Sequence, residues 1–235
     1  MLNKIRIVGK LLSTQLKERT ENRELFAYFS LLVTNPNGVQ TILRCHANEK
    51  MVAELEEESI KKDEMVEVRG YLKNERESRQ IIIQALELRK LESDDSKSSF
   101  NQARLLGIIS TELEIQEKEE RDHQVVSFKL EVPTKENISN LFFCRAQGEL
   151  VLEMANALKK RDIVLLEGFL QTKKIVDDNT YPEKILRISS FICQSFILID
   201  TMKVDNFYLL DKLTLVSKEV EKIDFLKPRK NFEND

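Results

Sequence analysis

The chain carries one block of sequence twice. Asn3-Lys4-Ile5-Arg6-Ile7-Val8-Gly9 returns as Asn101-Gln102-Ala103-Arg104-Leu105-Leu106-Gly107. Phe29-x-Leu31-x-Val33 returns as Phe128-x-Leu130-x-Val132, and Arg44-Cys45-His46-Ala47 is echoed by Phe143-Cys144-Arg145-Ala146. Met65-Val66-x-Val68-x-Gly70-Tyr71-Leu72 returns as Ile163-Val164-x-Leu166-x-Gly168-Phe169-Leu170. The offset stays at 98 or 99 throughout. A period this long is the size of a small domain rather than a solenoid unit. The fold must therefore be one that each copy can complete for itself.

Alternation within a copy gives strands. Ile5, Ile7 and Gly9 share one face, and Phe29, Leu31 and Val33 share another. Thr34-Asn35-Pro36-Asn37-Gly38 is a turn with the Asn-Gly hairpin signal, and residues 39–47 form the third strand. Residues 49–59 have helical spacing through Met51, Val52 and Leu55. In the fourth strand, 65–73, Val66, Val68, Gly70 and Leu72 face in, and Gly70 marks a bulge or tight bend. Residues 80–91 make the fifth strand. The second copy repeats the order, with its helix at 150–158 and a longer last hairpin around 176–182.

The order β-β-β-α-β-β is that of an OB-fold. The expected class is all-β with minor α: two tandem OB-fold five-stranded barrels, each with a helix between strands 3 and 4, plus a C-terminal extension. The expected boundaries are module 1 at 1–92, a Ser- and Asp-rich linker at 93–100, module 2 at 101–200, and a docking segment with tail at 201–235.

At 235 residues and 41% hydrophobic, the chain can bury two small cores. No apolar run approaches the roughly 18 residues of a membrane span. The first repeat begins at Asn3, so no presequence is expected. The expected location is the bacterial cytoplasm, at the nucleoid, or an organelle that encodes the protein. Cys45, Cys144 and Cys193 lack metal or redox spacing and read as buried hydrophobes. The net charge of −3, from 37 basic and 40 acidic side chains, argues against a uniformly basic nucleic-acid coat but leaves room for a local basic groove. His46 and His123 form no acid–base or metal constellation, and six glycines supply no phosphate-cradling loop. A non-enzymatic protein with no cofactor or metal is expected.

Two motifs carry a family resemblance. Asn3-Lys4-Ile5-Arg6-Ile7-Val8-Gly9-Lys10-Leu11 resembles the N-x-[VI]-x-L-x-G-x-L block of the bacterial and organellar single-stranded DNA-binding proteins. Residues 62–72 and 160–170 resemble that family's K-G-x-x-V-x-V-x-G-x-L block, with Asp63 and Arg161 at the glycine position. The matches span both copies. The resemblance implies a single-strand-binding protein, and by its two barrels a homodimer.

A single-strand site needs cations for phosphates and flat side chains for bases. The chain has no tryptophan. The outward row Arg69, Tyr71, Lys73 meets both needs, extended by Arg76 and Arg79. The second copy offers Phe169, Lys173, Lys174 and Tyr181, and the third strands add Arg44 and Arg145. Phe26, Phe29, Phe128, Phe142 and Phe143 read as core or interface. The expected function is to coat or protect single-stranded DNA in replication, recombination or repair, with RNA as the other candidate ligand. The alternative is an OB-fold scaffold within a replication, transcription or translation assembly. Residues 204–235 are then the candidate contact to a protein partner.

Overall fold

The structure, a computed structural model, describes residues 2–18, 25–48, 51, 60–75, 80–91, 99–116, 124–134, 139–177 and 184–199. For 15–18, 25, 174–177 and 184–187 only the backbone is described. The expected helix at 49–59, apart from Met51, lies outside these residues, as do nearly all of the linker and all of the segment from 201 onward.

Five strands build the first repeat: β1 (Asn3–Glu18), β2 (Leu25–Thr34), β3 (Gln40–Ala47), β4 (Met65–Asn74) and β5 (Ile81–Lys90). They pair as β1–β2–β3–β5–β4 and back to β1, which closes a five-stranded barrel of OB-fold order. All contacts are antiparallel except β3–β5. The inward alternation seen in sequence is the core: Ile5, Ile7, Phe29, Leu31, Val33, Leu43, Cys45, Val66, Val68, Leu72, Ile83 and Ala85 are buried together. One difference is the length of β1. It runs on to Glu18 and pairs residues 10–18 with 25–32, extending the β1–β2 hairpin.

The second repeat supplies β6 (Phe100–Ile109), β7 (Glu114–Gln116), β8 (Val125–Pro133), β9 (Ser139–Gln147), α1 (Glu149–Ala157), β10 (Ile163–Asp177) and β11 (Lys184–Leu198). Helix α1 buries Val151 and Met154 at helical spacing. The strands follow the same neighbour order. β9 meets β11 over two residue pairs, and β6 meets β8 over two.

The repeats join through their first strands. β1 and β6 pair antiparallel from Asn3↔Leu105 to Val8↔Phe100. Ile5 pairs with Ala103, its own counterpart at offset 98. A local two-fold axis therefore passes through that pair. The polar clamps obey it. Asn3 donates to Leu72 O at 2.8 Å and accepts from Leu72 N, while Asn101 does the same with Leu170. Asn140 accepts from Asn74 N, and Thr41 accepts from Thr172 N, so each repeat's fourth strand touches the other's third.

The turn before the fourth strand is also identical in both copies. Glu64 N donates to Lys61 O, and Asp162 N donates to Lys159 O. The third residue of each turn has a positive φ, 72° at Asp63 and 77° at Arg161. This is the left-handed region, which glycine enters at little cost. Asp63 and Arg161, at the glycine position of the resembling motif, thus hold a conformation that glycine enters more easily. Arg161→Gly should raise the unfolding free energy by about 0.5–1 kcal/mol, and Asp63→Gly by less, since Asp tolerates this region. A higher urea midpoint at unchanged slope is the expected reading, and a lower midpoint would refute the strain.

Candidate nucleic-acid interface

Side chains that alternate out of the core cover the outside of the first repeat. On β2 these are Phe26 and Tyr28, on β3 Arg44 and His46, on β4 Tyr71 and Lys73, and on β5 Gln84. The register lines them up. Tyr28 pairs with His46, His46 with Gln84, and Gln84 with Tyr71, a row across four strands. The Phe26 and Tyr28 rings meet edge-on at 5.7 Å and 84°. His46 lies 5.4 Å from the first ring and 5.1 Å from the second. The Arg44 guanidinium sits 4.0 Å from the Tyr28 ring centroid and reaches Glu75 at 3.3 Å. Lys73 Nζ donates to Gln84 Oε1 at 2.6 Å, the same oxygen that lies 2.7 Å from His46 Nδ1. Gln84 is fixed by donating from Nε2 to the carbonyls of His46 and Ala85. The result is a patch of rings and cations held by packing and hydrogen bonds.

Further along β4 lies a second cluster. Glu67 is 1% exposed, and its carboxylate accepts from Arg6 Nε at 2.6 Å, Arg69 Nε at 2.8 Å and Arg89 Nε at 2.6 Å. Burial alone raises its pKa, but the hydrogen bonds from Arg69, Arg6 and Arg89 outweigh this and hold it at about 2. Arg69 stays 34% exposed and Arg89 59% exposed. Within the second repeat, Arg104 pairs with Glu167.

Of the residues expected from sequence, Arg44, Arg69, Tyr71 and Lys73 fall on this one continuous outer face. Arg145 is half-buried on β9, with its Nε buried and without a hydrogen-bond partner. Lys173 is exposed on β10. Phe169 requires a correction. It alternates outward as expected but is 3% exposed, so it presents no ring to a base. Its strand, β10, packs against β3 of the other repeat through Thr41 and Thr172. Arg76, Arg79, Tyr181 and the side chain of Lys174 lie outside the described residues.

Sequence reasoning missed Phe26, Tyr28, His46, Gln84, Arg6 and Arg89. The signal for two of them was present: Phe26 and Tyr28 alternate out of phase with Phe29, Leu31 and Val33. Phe143, read as core or interface, is 38% exposed.

The fold defines an OB-fold protein. Among solved structures, the chain is similar to the single-stranded DNA-binding protein of Thermus aquaticus, with a TM-score of 0.67 and 17% identity over 88% of this chain and 97% of that one. A deletion mutant of the same Thermus protein matches at a TM-score of 0.67 and 16% identity, with the same coverage. No family model and no curated protein matches the sequence. The likeness is one of fold.

Proposed function

We propose that this protein binds single-stranded DNA on the outer face of its barrel. The observation that carries this is the four-strand row of Tyr28, His46, Gln84 and Tyr71, with Arg44 and Lys73 beside it. His46 and Gln84 are themselves buried and brace the row, while the half-buried rings of Tyr28 and Tyr71 offer stacking, worth about 1–3 kcal/mol per base, and the cations offer phosphate contacts. Gln84 offers no base-reading group, because its amide donates to backbone carbonyls.

The reading extends to the whole chain. We take the second repeat as a second OB-fold barrel in tandem, supported by the shared strand order and by the span of the Thermus likeness. The protein would coat or protect single strands in replication, recombination or repair, as a homodimer, with residues 204–235 contacting a protein partner. Its place would be the nucleoid or an organelle that encodes it.

A labelled oligothymidylate titrated at two salt concentrations tests the function. Binding that weakens steeply with salt is expected, and a duplex of the same length should bind less well. Tyr28→Ala should weaken binding by about fivefold or more. No binding at low salt would leave the scaffold reading in its place.

A further inference from the structure

The local two-fold axis allows each binding residue to be compared with its counterpart at the same barrel position. Tyr28↔His46 corresponds to Ser127↔Arg145, and His46↔Gln84 to Arg145↔Ile192. Phe26 corresponds to Val125, Arg44 to Phe143, and Tyr71 to Phe169. Val125, Ser127 and Phe169 are buried where Phe26, Tyr28 and Tyr71 are half-buried, and Ile192 is as buried as Gln84. Among the described residues, the half-buried rings of Phe26, Tyr28 and Tyr71 thus have buried counterparts in the second repeat, whose exposed ring, Phe143, stands in place of Arg44. The second cluster is not repeated either. Where Glu67 pairs with Arg89, Leu165 pairs with Ile197, and Glu167 stands in place of Arg69.

Both features of the first repeat lie on the same outer face of β4. Lys73 and Tyr71 border the ring patch, and Arg69 follows two residues after Tyr71 toward the strand's start. Four residues of strand from Lys73 to Arg69 span about 13 Å. The carboxylate of Glu67 fixes three guanidiniums but balances only one of their charges. Glu87, 3.8 Å from Arg69, is a more distant second anion. The Arg89 and Arg69 side chains stay 59% and 34% exposed, which leaves room for a phosphate to approach them.

From these positions we infer that the first repeat holds the strand alone, along β4, between a stacking end at Tyr28 and Arg44 and a phosphate anchor at Arg69 and Arg89. The inference rests on the single-strand-binding reading above and specifies its ligand contacts: bases at one end, phosphodiesters at the other, one strand per chain. The second repeat completes the sheet through β1–β6 and, among the described residues, has no counterpart of the Phe26, Tyr28 and Tyr71 ring patch.

The test uses the full chain and an oligothymidylate of about eight nucleotides, within the range one OB fold holds. The sequence has four tyrosines and no tryptophan, so tyrosine emission reports stacking directly. Wild type should saturate at one oligonucleotide per chain. Arg89→Gln, which leaves Glu67 two guanidiniums, should lower the magnitude of the salt slope by about 0.7 and leave the tyrosine quench at saturation unchanged. Arg89→Lys should restore the slope. Tyr28→Ala should remove much of the quench and leave the slope as in wild type. Phe143→Ala, on the second repeat, should change neither. Saturation at two oligonucleotides per chain overturns the inference. So does an unchanged slope in Arg89→Gln, or a loss in Phe143→Ala as large as in Tyr28→Ala. Failure of the wild type to bind at low salt instead overturns the function itself, and the two failures are thus told apart.

Discussion

Gly70→Ala should lower the unfolding free energy by about 3 kcal/mol, the upper part of the range for forcing an extra methyl into a packed interior. A Cβ at this position would lie 2.0 Å from Gln84 O, 2.9 Å from Gln84 C and 3.1 Å from Ala85 Cα. All three are backbone atoms of β5, so no rotamer change relieves the overlap. β4 and β5 would have to separate where their register already shifts, between Arg69 and Gly70. Gly168 faces the same constraint, with Ile192 O at 1.9 Å from its Cβ position. Gly38 is the control. Its φ is +78°, and a Cβ there meets nothing within 4 Å. Gly38→Ala should therefore cost only the left-handed penalty, about 1 kcal/mol. Urea unfolding of the three variants checks this, and equal losses at Gly70 and Gly38 would refute the role of close strand approach. Because Gln84 also anchors His46 and Lys73, Gly70→Ala should weaken single-strand binding as well.

The barrel was legible because its determinants are local and were written twice. Alternation at Val66, Val68, Gly70 and Leu72 named the inward face, and the repeated glycine named the bulge. The helix at 150–158 was placed within one residue of α1. Pairing between the two copies was not legible. The β1–β6 ladder joins residues about a hundred positions apart, and no periodicity within either strand points to the other.

The site was legible only in part, and Phe169 shows the reason. Parity tells which face a strand residue takes; it does not tell what covers that face. Tyr71 and Phe169 have equal parity and equivalent positions, yet one is half-buried and the other fully buried. Tyr28 and His46 show the converse. Each looks unremarkable in its own strand, and only the β2–β3 register puts the two rings side by side. Arg89 became informative only when β5 was seen to lie beside Glu67.

Glu67 should dominate the acid stability of the protein. Its carboxyl is held at about 2 by the Arg69, Arg6 and Arg89 guanidiniums in spite of its burial. The unfolded chain titrates it at the ordinary value near 4.3. The folded pKa is the lower one, so the unfolded state takes up the proton first. The contribution is therefore complete above the ordinary carboxylate range and is lost as pH falls through that range toward about 2. The difference is on the order of 3 kcal/mol. Glu67→Gln keeps the shape and removes the charge, leaving Arg6, 16% exposed, pressed against a neutral group. Arg89 and Arg69 can still turn to water, which keeps the loss below the full cost of a broken buried pair, about 3–5 kcal/mol. Unfolding midpoints of wild type and Glu67→Gln should differ most at neutral pH and converge as pH approaches the folded pKa. A gap that stays constant across that range would show that the charge is not what Glu67 contributes. The same substitution adds one net positive charge beside Arg89, so single-strand affinity should rise while stability falls.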